Sequence, residues 1–210
     1  MPRAPRIEIA GETYHVTQHG IDDHRIFRDD VDRETFLRFL RQEVARSDWT
    51  MLAYTLMSTH YHLLLRLDKP TLSSGFQRLN GRYAQAFNHR HGRRGHFFER
   101  RFRDVMIESD AHYCEAMRYI HLNAPRANMC DAPEDHAWCD YGSTIGLFPR
   151  DRIVDPRTAL EAFGDRLDVA RRRYLEFVAE ADPRVRRGLT RARPSVGAAA
   201  ARPPVGAAAA

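Results

Sequence analysis

The chain contains 210 residues and carries a formal net charge of +5, from 33 lysines and arginines against 28 aspartates and glutamates. This length allows one sizeable core and a small appendage. No apolar run approaches the roughly 20 residues that span a bilayer, and residues 1–9 lack the apolar centre of a signal peptide, so we expect a cytoplasmic protein. The three cysteines lack CxxC spacing, which argues against a disulfide framework and a cysteine-based zinc site.

The N-terminal half of the chain alternates between strand and helix periodicity. Residues 12–18 predict a strand, after which Asp30 or Asp32 offers the N-cap of a first helix. Residues 49–57 and 61–67 are typical of two further strands. Because only a short join separates them, we predict that they form an antiparallel hairpin.

Two more helices and a fourth strand follow. The apolar stripe of residues 72–88 predicts a second helix, residues 97–107 predict the fourth strand, and Asp110 is the expected N-cap of a third helix that extends to Leu122. The resulting order, β-α-β-β-α-β-α, matches the split βαβ or ferredoxin-like plan. We therefore predict an α+β domain whose antiparallel sheet carries its helices on one face.

The remainder of the chain predicts an appendage and a tail. We expect a boundary between a domain of residues 1–147 and a helical extension of residues 148–188. The amphipathic pattern of the extension predicts that it packs back on the domain. Residues 189–210 consist mainly of alanine, proline and arginine and contain no acids. Such a composition cannot bury a core, so it predicts a disordered basic tail.

Two histidines, His60 and His62, flank Tyr61 at the start of the predicted third strand. Because alternate residues of a strand point to the same side, both imidazoles would share one face while Tyr61 occupies the other. Such a pair supplies two ligands of a divalent metal ion. Taken alone it is weak evidence, since many strands carry two histidines by chance.

Tyr119 and Asn123 lie four residues apart on the predicted third helix, and therefore one turn apart on the same face. Asn123 can supply a third, oxygen ligand, and the Tyr119 hydroxyl would then lie close to a phosphate at the metal ion. The alternative is an aromatic packing residue followed by an asparagine near a helix end, ahead of Pro125. The other tyrosines weighed as nucleophiles are assigned to strands or to packed or off-face positions, namely Tyr14, Tyr54, Tyr83, Tyr113 and Tyr141.

Residues 78–104 form a strongly basic stretch, with eight arginines against Glu99 and Asp104 and with phenylalanines interleaved. Guanidinium groups bind phosphates and aromatic rings stack on unpaired bases, which is the combination that holds single-stranded nucleic acid. The alternative is a solvated helix end followed by a half-buried strand. The candidate nucleic-acid-binding residues are Arg78, Arg82, Arg90, Arg93, Arg94, Arg100, Arg101, Arg103, Phe97 and Phe98.

Five stretches of the chain, in order, resemble the REP-associated tyrosine transposases. These are relatives of the single-tyrosine, IS200-like transposases of the HUH endonuclease superfamily, and the resemblance covers residues 2–147. The stretches are YHVTQHG from Tyr14, IFRDDVDRETFLRFL from Ile26, AYTLMSTHYHLLL from Ala53, GHFFERRFR from Gly95 and RYIHLNAPRA from Arg118.

The resemblance implies a nuclease that cleaves and rejoins single-stranded DNA near hairpins of repetitive extragenic palindromes. It assigns His60, His62 and Asn123 as ligands of Mg²⁺ or Mn²⁺. It also assigns Tyr119 as the nucleophile, which would form a 5′-phosphotyrosine and leave a free 3′-hydroxyl. The expected partner is a single-stranded DNA hairpin and not a membrane, and the protein would act as a monomer or a homodimer.

The chain departs from the family's pattern in three ways. Tyr61 replaces the usual small aliphatic residue between the two histidines, and Thr59 replaces the usual asparagine before them. Ala124 and Pro125 occur in inverted order, which affects where the third helix ends and how Asn123 is aimed. None of the implied catalytic positions is lost.

Two other functions are compatible with parts of the sequence. A DNA-hairpin-binding regulator could keep the fold and the basic stretch without catalysis, although it would need neither the histidine pair nor Tyr119. A two-histidine phosphoesterase needs two HxT or HxS elements. His15 and Thr17 form one such element, but the segment from His60 to His62 does not form the second.

Overall fold

The computed structural model describes residues 6–149, 153–182 and 185. Within these residues the strands are β1 (Thr13–His19), β2 (Trp49–Leu56), β3 (His60–Leu67) and β4 (Arg103–Met106). The helices are α1 (Asp30–Ser47), α2 (Leu72–Arg90), α3 (Asp110–Arg126), α4 (Tyr141–Thr144), α5 (Pro156–Ala159) and α6 (Leu167–Ala181). None of the helices in the described part of the chain is both long and apolar enough to cross a membrane.

The four strands form one sheet of order β2-β3-β1-β4, in which every neighbouring pair is antiparallel. β1 and β3 are therefore the central strands, and His62 of β3 lies opposite Thr17 of β1 and Thr55 of β2. This strand order, with α1 and α2 as connections, is that of the split βαβ or ferredoxin-like plan. The predicted fold class is confirmed.

The two faces of the sheet carry different helices. Tyr61 of β3 points toward α1, where its ring centroid lies 4.7 Å from that of Phe36, and it donates a hydrogen bond to Asn80 of α2. His62 points to the opposite face, where the ring centroid of Tyr119 on α3 lies 5.4 Å away. The predicted placement of helices on one face therefore holds for α1 and α2, while α3 covers the other. Because β3 is central and largely buried, both of its faces need a covering layer.

The fourth strand is shorter than predicted. β4 covers Arg103–Met106, whereas the sequence pattern indicated a strand over residues 97–107. The residues before β4 form a loop in which Phe97 and Phe102 are buried. Their apolar side chains therefore contribute to the core from irregular backbone, which hydrophobic periodicity alone does not distinguish from a strand.

The helix caps also differ from the predicted ones. Asp29 caps α1 and its side chain accepts a hydrogen bond from the amide of Asp32 at 3.1 Å, while Ser109 caps α3 in the same way at 3.2 Å. The predicted caps, Asp30 or Asp32 and Asp110, lie instead in the first turns. A capping side chain accepts from the amide two or three residues later, and adjacent acidic residues make that choice ambiguous in sequence.

The C-terminal extension packs against the domain and shares its apolar core. Gly164, with a φ of 141°, separates α6 from the preceding turn and divides what the sequence predicted as one helical pattern. Tyr174 of α6 is fully buried, and Tyr113 of α3 donates a hydrogen bond to the carbonyl of Ala159 at 2.8 Å. The predicted tail from residue 189 lies outside the described residues, and the domain boundaries stay predictions.

Two glycines of α2 give a matched test of its packing. A Cβ atom at Gly75 would lie 2.7 Å from Cη2 of the buried Trp49, whereas one at Gly81 would meet no described atom within 4 Å. We expect Gly75→Ala to lower the free energy of unfolding by about 1–3 kcal/mol through overpacking. We expect Gly81→Ala to raise it by about 0.5–1 kcal/mol, because alanine is the better helix former. Urea unfolding followed by circular dichroism measures both, and changes of the same sign would contradict this packing.

Candidate active site

The central strand β3 presents two imidazoles to the face that α3 covers. His60 is half-buried and His62 is only 4% exposed, and their ring centroids lie 5.0 Å apart. The alternation of side chains along the strand places both rings on this face and Tyr61 on the other.

α3 brings Tyr119 and Asn123 to these histidines. The Asn123 side-chain nitrogen lies 3.2 Å from Nε2 of His62, and the same amide hydrogen-bonds to His60. The Tyr119 ring stands edge-on to the His62 ring. The inverted Ala-Pro order does not end the helix early, since α3 continues through Pro125. Asn123 is therefore held on helical backbone, one turn after Tyr119.

Tyr119 differs from the other tyrosines in its accessibility. Its side chain is 44% exposed, whereas the remaining seven are at most 9% exposed, namely Tyr14, Tyr54, Tyr61, Tyr83, Tyr113, Tyr141 and Tyr174. Burial also raises the pKa of Tyr61 and Tyr83 far above the ordinary range of a phenol. Buried phenols are neither accessible to a DNA strand nor readily ionised, so Tyr119 is the tyrosine that a substrate can reach.

β1 adds three side chains that the sequence analysis did not assign to this site. His15 Nε2 and Thr17 Oγ1 each lie 3.0 Å from Nδ1 of His62. His19 stacks on His60, with ring centroids 4.6 Å apart. The sequence did contain a signal, because the HxT pattern of His15 and Thr17 places both on one face of a strand, but only the pairing of β1 with β3 shows which face.

Burial keeps His15, His60 and His62 neutral at pH 7. It is the main cause that lowers the pKa of His15 and of His60 to about 4 and that of His62 to about 2, and neighbouring imidazoles lower each value further. Neutral imidazole is the form that binds a metal ion. Two such rings and one amide that contacts both therefore fit a divalent cation, with Asn123 presenting its oxygen after a half-turn of the amide.

Three of the arginines expected to bind nucleic acid lie on α2 and contact side chains of α1 or its N-cap. Arg78 donates hydrogen bonds to the buried carboxylate of Glu43, and Arg90 pairs with Asp29 and Asp32. Arg82 donates to the side chain of Gln42 on α1 at 2.7 Å. These contacts lie on the side of the sheet away from the histidines. Arg78, Arg82 and Arg90 thus have partners on α1 or at its N-cap, and their role as nucleic-acid-binding residues stays a prediction.

The two candidate stacking phenylalanines are also packed. Phe97 is 4% exposed and lies against Phe87 of α2, with ring centroids 4.5 Å apart. Phe98 is half-buried and packs edge-on against Phe97. Phe97 is thus a core residue, and Phe98 offers only part of its ring to a base.

The loop before β4 carries Arg100 and Arg101 close to the end of β1. The amide of Glu99 donates to the carbonyl of His19 at 3.1 Å, and Gln18 donates to the carbonyl of Arg100 at 3.0 Å, so the loop is tied to the end of β1 that bears the histidines. Arg100 and Arg101 are exposed in this loop, and Arg103 is exposed at the start of β4. Arg93 and Arg94 precede them in the same connection.

A second cluster of polar side chains lies behind α3. Potential ligand atoms of His121, Cys139 and Asp140 all lie within 4.8 Å of one another. Both ring nitrogens of His121 and both carboxylate oxygens of Asp140 already have hydrogen-bond partners in the protein. Burial raises the pKa of the Cys139 thiol, which disfavours the thiolate that a metal ion requires. Hydrogen bonding accounts for this cluster without an ion.

The fold and the site together define a ferredoxin-like α+β protein in which an exposed tyrosine on a helix faces a histidine pair on a central strand. The sequence model of the family described as "Transposase IS200 like" matches residues 9–123, which is more than half of the chain. The chain belongs to the IS200-like transposase family, as the sequence motifs predicted. Membership implies an enzyme that cleaves DNA.

Two solved structures are similar to the chain. One is the structure of a REP-associated tyrosine transposase bound to a REP hairpin, which is 17% identical with a TM-score of 0.59 and covers 74% of this chain and 93% of its own. The other is a putative transposase from Deinococcus radiodurans, which is 16% identical with a TM-score of 0.40 and covers 57% of this chain and 94% of its own. The first likeness supports the fold. No curated protein matches the chain.

Proposed function

We propose that the protein is a metal-dependent single-stranded DNA endonuclease and strand-transferase that acts beside hairpins through a 5′-phosphotyrosine intermediate. The observation that carries this proposal is the meeting of Tyr119, the exposed tyrosine, with His62 and Asn123. A protein that only binds hairpins does not need these groups to converge. The similar REP-associated transposase is bound to a REP hairpin, which supports hairpin DNA as the substrate class.

In the proposed reaction Tyr119 is the nucleophile. Its phenolic oxygen loses a proton and attacks the phosphorus of the scissile phosphodiester, and the bond from phosphorus to the 3′-oxygen breaks. The 3′-oxygen takes up a proton and leaves as a free hydroxyl, while the 5′-phosphate stays on Tyr119 as an ester. Because a phenolate is a better leaving group than an alkoxide, a 3′-hydroxyl can later attack this ester and rejoin the strand.

His60, His62 and Asn123 are the residues that would hold the divalent ion. When bound, a Mg²⁺ or Mn²⁺ ion would supply charge stabilisation to the phosphate during exchange. Contacts from His15 and Thr17 to Nδ1 of His62 leave its Nε2 as the nitrogen that faces Asn123. Such contacts fix the plane and the tautomer of a metal-binding imidazole.

The exposed arginines of the loop before β4 are the proposed contacts to the DNA backbone. We expect Arg100→Gln combined with Arg101→Gln to weaken hairpin binding and to reduce the slope of log affinity against log salt by about 0.7 for each phosphate that is no longer neutralised. Fluorescence anisotropy at several salt concentrations measures both quantities. Arg82→Gln is the matched control, because that guanidinium already bonds to Gln42. An equal decrease of slope in the control would contradict this assignment.

A covalent-trapping experiment tests the proposed function. A labelled hairpin oligonucleotide with randomised flanking bases is incubated with the full chain in Mg²⁺, Mn²⁺ or EDTA and separated under denaturing conditions. We expect a denaturant-resistant protein–DNA band with either ion and none with EDTA, together with a released strand that ends in a 3′-hydroxyl. Binding without cleavage in either ion would contradict the proposal and favour a hairpin-binding regulator.

A further inference from the structure

His121 lies between Tyr119 and Asn123 in sequence but points away from the histidine site. Two residues correspond to about 200° around a helix, so the His121 ring projects from the side of α3 opposite to Tyr119 and Asn123. The side chain is only 1% exposed. Its Nδ1 hydrogen-bonds with the hydroxyl of Tyr174 on α6, and its Nε2 lies 3.0 Å from a carboxylate oxygen of Asp140.

Asp140 connects this ring to the rest of the fold. The same carboxylate oxygen that meets His121 accepts a hydrogen bond from the backbone amide of Tyr54 on β2 at 2.6 Å. The other oxygen accepts from the Thr144 hydroxyl on α4 at 2.8 Å. Arg171 of α6 in turn donates to the carbonyl of Thr144 at 2.9 Å. One buried network therefore joins α3, the sheet, α4 and α6.

We infer that His121, Asp140 and Tyr174 form a clamp that fixes the rotation and the height of α3, so that Tyr119 and Asn123 stay aimed at the histidine pair. The three are positioning residues, and the inference rests on the function proposed above. It gives the C-terminal extension a role in the reaction through Tyr174. Asp140 and Tyr174 both lie beyond the segment that matches the family, which ends at residue 123.

The geometry of a helix explains why such a clamp matters. A shift by one residue along α3 is a rise of 1.5 Å with a turn of about 100°. That movement would carry Asn123 away from Nε2 of His62, where its amide now lies at 3.2 Å. His121 bonds on both sides of its ring, once to the sheet through Asp140 and once to α6 through Tyr174, so both rotation and sliding would break a buried hydrogen bond.

A pair of tyrosine variants tests the clamp. Tyr174→Phe removes the hydroxyl that meets His121 and keeps the ring. Tyr141→Phe is the matched control, because its buried hydroxyl has no hydrogen-bond partner within the described residues and its ring lies in the same cluster. We expect Tyr174→Phe to slow adduct formation on saturating hairpin DNA by about 10- to 100-fold. We expect unchanged hairpin affinity in both variants and an unchanged rate in Tyr141→Phe.

Hydrogen exchange followed by mass spectrometry supplies a readout that does not need activity. Peptides from α3 should exchange faster in Tyr174→Phe than in wild type or Tyr141→Phe, at a temperature well below the unfolding transition of each protein. Asp140→Asn is a second variant with the same expectation, should Tyr174→Phe not fold.

The outcomes separate the clamp from the proposed function. In Tyr174→Phe, faster hydrogen exchange in α3 together with slower adduct formation and unchanged hairpin affinity supports the clamp. Unchanged hydrogen exchange in α3, or faster exchange with an unchanged rate of adduct formation, overturns the clamp. A wild-type protein that forms no adduct overturns the proposed function, and with it the clamp's role in a reaction. A stoichiometric metal ion that co-purifies and is lost in Cys139→Ser overturns the clamp in favour of a metal site.

Discussion

Tyr119→Phe is expected to reduce the rate of hairpin cleavage by at least about 10³-fold and to eliminate the denaturant-resistant adduct, since the variant lacks the nucleophilic oxygen. Hairpin affinity and thermal stability should change little. The side chain is 44% exposed, and phenylalanine keeps the ring contacts with His15 and His62. Single-turnover cleavage of a labelled hairpin in Mg²⁺ measures the rate, and anisotropy measures the affinity.

The matched control for this variant is Tyr141→Phe, which removes a phenolic oxygen from a fully buried ring. It should cleave like the wild type. A cleaved adduct that survives Tyr119→Phe would show that another side chain is the nucleophile. Loss of cleavage together with loss of hairpin binding would instead assign Tyr119 to substrate contact.

His62→Gln is expected to weaken the binding of Mn²⁺ by more than about 100-fold, since loss of a direct ligand should exceed the 10- to 100-fold effect of losing a residue that only orients one. Cleavage should fall with it. Glutamine has a volume close to that of histidine, so little cavity is left beside His15 and Thr17. Electron paramagnetic resonance of free Mn²⁺ during a titration measures the affinity without reference to activity.

His89→Gln provides the comparison for the metal measurement. His89 is exposed near the end of α2, on the side of the sheet opposite to His62. The His89→Gln variant should bind Mn²⁺ and cleave DNA like the wild type. Equal Mn²⁺ affinities of His62→Gln and the wild type would remove His62 from the ligand set and leave its buried ring as a packing residue.

The order of strands and helices follows from local sequence patterns, which is why the ferredoxin-like plan could be predicted. The face on which α3 packs could not, because it depends on the burial of β3 on both sides. The pattern of His60, Tyr61 and His62 fixes which two rings share a face, but it says nothing of the neighbouring strand. The contacts of His15 and Thr17 with His62 arise only from the pairing of β1 with β3.

The pattern of charges along the sequence did not predict the partners of the arginines in the basic stretch. Arg78 pairs with Glu43 of α1, and Arg90 pairs with Asp29 at the N-cap of that helix, so the partners lie 35 and 61 positions earlier. A count of charges within a window cannot find such partners. The arginines of the loop before β4 differ because their backbone is tied to the end of β1, a tertiary contact with no local pattern.

Because only one tyrosine of the eight is exposed, a reagent that couples to phenols can label the protein at a single tyrosine. A reagent that couples to phenol rings in water, such as an aryl diazonium salt, can reach Tyr119 while the folded chain shields the other seven. A dye or an affinity handle can thus be attached at the candidate nucleophile of the unmodified sequence. Protection of Tyr119 from labelling by bound hairpin DNA would then report occupancy of the site directly.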